Sequence, residues 1–174
     1  LDFSFQACII NKGKITHCLI VQPRYGVFII GSPGRLYLSR PLSINKEVNY
    51  APVYFAYPPR IKKEFHSIKM KLQEDIDNYS SGLCRTGSCS VAMFELCLGK
   101  YKAVVGLEVR LWDCIPMFNF ISHMKSKVYY FTDGLFVTFV AGNDLYIAPY
   151  IKTINKNIKG KLHKFNVNSR LELL

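Results

Sequence analysis

The stretch RTGSCSVAMFELCL, residues 85–98, followed at 103–113 by AVVGLEVRLWD, decides how this chain folds. Ser88 can cap a helix running to about Leu98, with Val91, Phe94 and Leu98 turned inward and Gly99 ending it. The run Ala103 to Leu107 suits a buried strand, LWD follows at Leu111 to Asp113, and another helix is expected over roughly Cys114 to Met124. Helix, strand and helix in that order read as part of an α/β layered unit.

Upstream, β-branched and aromatic residues at Phe3 to Ile10 and Lys14 to Val21 flank a turn at Asn11, Lys12 and Gly13, which predicts an antiparallel hairpin. Strands at Gly26 to Ile30 and near Leu36 to Leu38, separated by Gly31, Ser32, Pro33 and Gly34, complete a β-meander ending around Ser43. A strand at Pro52 to Tyr57 is closed by Pro58 and Pro59, which lead into a helix at roughly Arg60 to Tyr79. Ile61, Phe65, Ile68, Leu72 and Ile76 recur there at helical spacing, with Lys62, Lys63, Lys69, Glu74 and Asp75 on other faces. Ser80 to Cys84 reads as a loop or short strand.

Downstream, strands at Lys127 to Phe131 and Leu135 to Val140 flank a turn containing Asp133 and Gly134. A last helix starts near Asn143, with an apolar stripe of Ile147, Ile151, Ile154 and Ile158 before Gly160. The expected organisation is the end of an antiparallel-sheet domain over 1–45 and an α/β domain over 46–174.

Composition bounds the function. The 174 residues, 49% apolar, suffice for one ordinary domain with a real core. The net charge of +11, with Lys152, Lys156, Lys159, Lys161, Lys164 and Arg170 near the C-terminus, would attract phosphate esters, nucleic acid or an acidic membrane without choosing among them. The aromatic-basic interleaving of a nucleic-acid module is absent, so no specific nucleic-acid partner is expected. Cys8, Cys18, Cys84, Cys89, Cys97 and Cys114 form no CxxC pair, and with four scattered histidines no zinc or haem motif is visible. The cysteines read as small buried hydrophobes in a reducing, cytoplasmic compartment. No apolar run is long enough to span a membrane, and no basic-then-apolar leader is seen.

Taken together, RTGS at Arg85 to Ser88, the apolar helix after it, LWD at Leu111 to Asp113 and VAGN at Val140 to Asn143 resemble the later part of the inositol-monophosphatase family, which includes the bacterial extragenic-suppressor type. The interval from Gly87-Ser88 to Asp113 resembles the family's spacing. The stretch GSPGRLYLSRPLSI, residues 31–44, is similar to the Gly-rich hairpin and Asn-Gly-Arg-Pro-Leu turn that close the family's N-terminal sheet. The resemblance implies a layered sugar-phosphatase-like α/β fold, here incomplete. It implies Mg²⁺-dependent phosphomonoester hydrolysis, a small phosphorylated alcohol or sugar as partner, and a homodimer.

The family builds its metal site from a Glu-Glu pair, an Asp-Pro-Ile-Asp-Gly-Thr loop and the Asp of the Trp-Asp motif. Only the last has a counterpart here, Asp113; the resemblance places the others upstream of Leu1, and Asp2 is no substitute because no Gly-Thr phosphate loop follows it. One carboxylate cannot assemble a multi-cation cluster, because Mg²⁺ needs several oxygen ligands near about 2.1 Å. The expectation is a partial phosphomonoesterase that is inactive by itself, with a non-catalytic structural or interaction module as the alternative.

Asp113 begins an apolar helix, where it either caps free amides or holds a cation. Trp112 is expected to be a packing anchor. Gly87 and Ser88 match a small-residue pair that lies against substrate, and read equally as a turn and an N-cap. Cys89 follows where the family commonly has alanine and could pack beside substrate; no histidine base is near it in sequence. Arg85 is a phosphate contact or a surface charge. In inositol-specific members a carboxylate stands seven residues before the Trp-Asp aspartate. Here that place is Gly106, and Glu108, on the same side of an extended strand, is the substitute or else an exposed charge. Ile115, Pro116, Met117 and Phe118 replace the family's small-residue helix, and His123, Met124, Lys125 and Ser126 replace its glycine-rich ending, which implies wider packing or a changed turn.

Overall fold

A computed structural model describes residues 3–44, 48–124, 126–166 and 168. Asp2, Lys125 and Arg170 lie outside the described residues.

The meander forms as expected. Strands β1 (Phe5–Asn11), β2 (Lys14–Gln22), β3 (Val27–Ser32) and β4 (Arg35–Leu38) make a four-stranded antiparallel sheet in the order β1-β2-β3-β4. Lys12 and Gly13 make the first turn, both at positive φ (50° and 76°), the conformation a two-residue hairpin needs to match strand twist. Lysine is strained there, so Lys12→Asn is expected to stabilise the protein by about 0.5 kcal/mol. A thermal melt checks this, with Tm rising by roughly 1–2 °C.

The second sheet is mixed: β5 (Val53–Ala56), β6 (Leu83–Cys84), β7 (Ala103–Arg110), β8 (Lys127–Asp133), β9 (Phe136–Gly142) and β10 (His163–Lys164) lie in the order β10-β8-β9-β7-β5-β6. β5 runs parallel to β6 and β7, whereas β8, β9 and β10 are antiparallel additions. Sequence reasoning does not anticipate β10.

Helix α1 (His66–Tyr79) starts later than periodicity predicts. The chain is extended at Lys62 (φ −57°, ψ 144°) and forms a single 3₁₀ turn at Lys63–Phe65. The Lys62 N–H is drawn away to the Glu108 carboxylate at 2.8 Å. The apolar stripe holds: Phe65, Ile68, Leu72 and Ile76 are buried and Ile61 packs beside them.

Helices α2 (Cys89–Cys97) and α3 (Ile115–Ser122) lie between the two sheets. Their core joins Cys18, Ile20 and Ile29 of the first sheet to Tyr54, Val104 and Phe139 of the second. Because α2 is covered on both sides, Ser90 to Cys97 are all buried, beyond the inward face expected from its spacing. Pro116 sits in the first turn of α3, where proline is tolerated. Glu95 is buried in α2; burial raises its pKa, but hydrogen bonds from the Tyr25 hydroxyl and from Lys100, the latter at 2.9 Å, hold it below the ordinary carboxylate range. With its folded pKa lowered, Glu95 contributes stability above the ordinary range and loses it on acidification through that lowered value.

The opposite face of the mixed sheet packs on α1 and on α4 (Asp144–Asn157), capped by Asn143. The layers therefore run sheet, helices, sheet, helices. The outer face of the first sheet carries Phe5, Ile9, Phe28, Ile30 and Tyr37, which are 41–61% exposed.

Candidate functional site

Four segments meet at one end of the mixed sheet to enclose a cleft of about 950 Å³. They are the start of β1, the Tyr57–Lys62 connection after β5, the Arg85–Ser90 loop and first turn of α2, and the Glu108–Asp113 end of β7. All five residues singled out in the sequence, Gly87, Ser88, Cys89, Glu108 and Asp113, line it, and Arg60, Lys62, Arg85 and Arg110 line it too.

Gly87 has φ of 98°, and a Cβ there would meet nothing within 4 Å. Glycine is required by the backbone, while the space beside it stays open to the cleft. Ser88 is the N-cap of α2, its Oγ accepting from the Val91 N–H at 3.4 Å. The amides of Cys89 and Ser90, at the first two helical positions, have no intrahelical acceptor. The Tyr54 phenol, its pKa raised mainly by burial, lies beneath this loop against Thr86 and the Gly87 backbone. The Cys89 thiol is pushed up by burial and by the charge of Asp113, which makes it a poor nucleophile.

Glu108 departs from the expected geometry. The β7–β9 register shifts between Gly106 and Val109, and Glu108 sits there at φ +53°. It is therefore not in an extended strand on the same side as Gly106. Nor is it an exposed charge: it is 4% exposed, with one oxygen taking the Lys62 N–H and the other 3.4 Å from Lys62 Nζ. Bulges that re-aim one side chain are frequent beside functional sites.

Asp113 ends a 3₁₀ turn, Leu111–Asp113, and is exposed to the cleft. Partial burial raises its pKa, opposed by the charge of Arg110. Trp112 is not a buried anchor. It is 56% exposed at the rim, with the Arg110 guanidinium 5.4 Å from its ring centre and the Gln6 side chain donating to its carbonyl at 2.8 Å. Arg85 is held in place, donating to the Tyr57 carbonyl at 2.7 Å with its guanidinium 3.9 Å from that ring's centre.

Arg60, Lys62 and Arg110 are lining cations that sequence reasoning missed. Each lies next to a motif or a proline pair, and nothing in its own spacing distinguishes it from a solvated surface cation.

No protein-family model and no curated protein matches the sequence. Solved structures do. The extragenic suppressor protein suhB of Bartonella henselae superposes with a TM-score of 0.67 at 15% identity, over 89% of this chain and 62% of that one. The inositol monophosphatase of Anabaena gives 0.68 at 10%, over 89% and 64%. SaIMPase-II with inositol monophosphate bound gives 0.62 at 15%, over 90% and 62%. This is the inositol-monophosphatase fold. The likeness runs over nearly the whole chain, which spans less than two thirds of the length of those structures.

A Mg²⁺ cluster needs several fixed oxygens. Among the described residues no three His, Cys, Asp or Glu side chains converge as a metal site, and the Glu108 carboxylate is already engaged by Lys62. The described residues alone do not fit the ion, and Asp113 is the one cleft carboxylate without such an ion pair.

No helix among the described residues is long and apolar enough to cross a membrane.

Proposed function

We propose that this chain binds the phosphate of a small phosphorylated alcohol or sugar in the cleft, as the ligand-holding part of a phosphatase-type module, and that its described residues alone do not hydrolyse it. One observation carries the reading: three arginines, Arg60, Arg85 and Arg110, and a helix start surround a cleft whose Lys62 is already paired with Glu108 and Asp133 and which offers a single uncommitted carboxylate. Such a wall favours a phosphate dianion over a bare divalent cation. In this reading Arg85 and Arg110 contact phosphate oxygens, the Cys89 and Ser90 amides and the Ser88 hydroxyl donate to it, and Gly87 leaves room. Asp113 accepts from a ligand hydroxyl, and would ligate Mg²⁺ only with further carboxylates beside it. Inositol monophosphate, bound in the SaIMPase-II structure, belongs to the same chemical class.

Calorimetric titration of inositol monophosphate tests this. The expected result is binding that unphosphorylated inositol does not show, weakened about 10-fold or more in Arg85→Ala through loss of a charge-assisted contact. Equal affinity in wild type and Arg85→Ala would count against the reading.

A second reading, an interaction module assembling as a homodimer, is favoured by the outer face of the first sheet. Phe5, Ile9, Phe28, Ile30 and Tyr37 form an exposed apolar patch there, with Arg35 beside Tyr37 at its edge. Light scattering is then expected to give a dimer that Ile9→Lys with Ile30→Lys converts to monomer; a monomeric wild-type chain removes this reading.

A further inference from the structure

We propose that Cys8 and Cys18 form a redox-active dithiol that exchanges with a low-molecular-weight disulfide to close a cross-strand bond, stapling the edge strand that flanks the cleft. The two sulfurs lie 3.1 Å apart, and no other two thiols hydrogen-bond to each other among the described residues.

The pairing comes from an irregularity in the hairpin. Asn11 faces Lys14 and Ile10 faces Ile15, so an unbroken ladder would set Cys8 against His17. The register shifts between Ile9 and Ile10, leaving Thr16 as the extra residue; Ile9 then faces His17 and Cys8 faces Cys18. Directly opposed residues of an antiparallel pair have Cα atoms about 4.5–5.5 Å apart, inside the range a disulfide spans. The sulfurs need to approach by only about 1 Å.

Reactivity is divided between the two. Cys8 is half-buried on the edge strand and can meet a small disulfide, whereas Cys18 is buried and hydrogen-bonded by Asn119 Nδ2 at 3.7 Å. The hydrogen bond from Cys8 lowers the Cys18 thiol, against its burial and with help from Asn119, and the same bond raises Cys8, so access rather than acidity makes Cys8 the first to react. Cys8 Sγ attacks one sulfur of the small disulfide, whose S–S bond breaks; the first half departs as a thiolate and takes up the Cys8 proton. Cys18 Sγ then attacks Cys8 Sγ in the mixed disulfide and expels the second half, which takes up the Cys18 proton. Two thiols are oxidised and one disulfide is reduced to two thiols.

The bond would reach the cleft through β1. Gln6 lies two residues before Cys8, on the same face of the strand, and its side chain donates to the Trp112 carbonyl at 2.8 Å. Fixing β1 against β2 therefore fixes the clasp beside Asp113.

The full chain, equilibrated in glutathione buffers of graded oxidised-to-reduced ratio, is quenched by alkylation and digested with trypsin. Cleavage after Lys12 and Lys14 separates the two cysteines, so only a closed bond leaves residues 1–12 joined to 15–24. The expected result is that this linked peptide dominates the disulfide products and is absent from Cys8→Ser and Cys18→Ser. Amide exchange in β1 is expected to slow about 10-fold or more on oxidation. Separate alkylation of both cysteines at every ratio, glutathione retained on Cys8, or a closed bond with unchanged exchange would each overturn the proposal.

Discussion

Gly106→Ala is expected to cost about 3 kcal/mol, lowering Tm by roughly 6–12 °C in a chain of this size. A Cβ at Gly106 would lie 2.1 Å from Cε1 and 2.5 Å from Cδ1 of Phe139. Phe139 is fully buried and packs edge-on against Phe118 at 5.2 Å between ring centres, so it has no room to swing aside. The added methyl must displace a ring at the centre of the mixed sheet. Thermal denaturation of Gly106→Ala, Phe139→Leu and the double variant checks this. The double variant should be less destabilised than the two single losses summed, while a Gly106→Ala melt within about 1 °C of wild type would contradict the packing. The same contact bears on ligand choice. Position 106 is where the family resemblance puts a hydroxyl-binding carboxylate, and Phe139 fills the space a side chain would need. A contact of that kind has to come from elsewhere in the cleft.

Glu108→Leu is expected to cost about 2 kcal/mol. The substitution leaves the Lys62 N–H without its acceptor and removes the more distant of two carboxylates facing Lys62 Nζ, Asp133 staying at 2.9 Å. It also places a γ-branched side chain at a φ of +53°. Because Lys62 belongs to the connection that carries Arg60 into the cleft, ligand affinity should fall along with Tm. Glu108→Gln retains an acceptor for the Lys62 amide and should cost about half as much. A Leu variant as stable as wild type would show that Glu108 does not hold this wall in place.

Local rules made much of this fold legible. The Asn11-Lys12-Gly13 turn, the Ser88 cap and the stripe from Phe65 to Ile76 each depend on neighbours in sequence, and each appears where it is expected. What depends on distant partners was not legible. The start of α1 is set by Glu108, 46 residues from Lys62. The full burial of α2 follows from a second sheet covering it, and β10 exists because β8 offers it an edge. The cleft was legible in part: the short motifs marked Gly87, Ser88, Cys89 and Asp113, while the bulge that turns Glu108 inward has only Gly106 to announce it, a residue read as the place of a missing carboxylate. Trp112 was misread because a lone tryptophan between leucine and aspartate carries no mark of being on a rim. The approach of Cys8 to Cys18 rests on a one-residue bulge that hairpin spacing alone would have set against His17.

The central claim is that the cleft holds a phosphorylated ligand through fixed cations and amides. Calorimetric titration of inositol monophosphate into the intact chain, once in EDTA and once in Mg²⁺, tests it most directly, with inorganic phosphate measured in both. The expected result is the same Kd to within about twofold and no phosphate released. Binding that appears only with Mg²⁺, or Mg²⁺-dependent phosphate release, would contradict it.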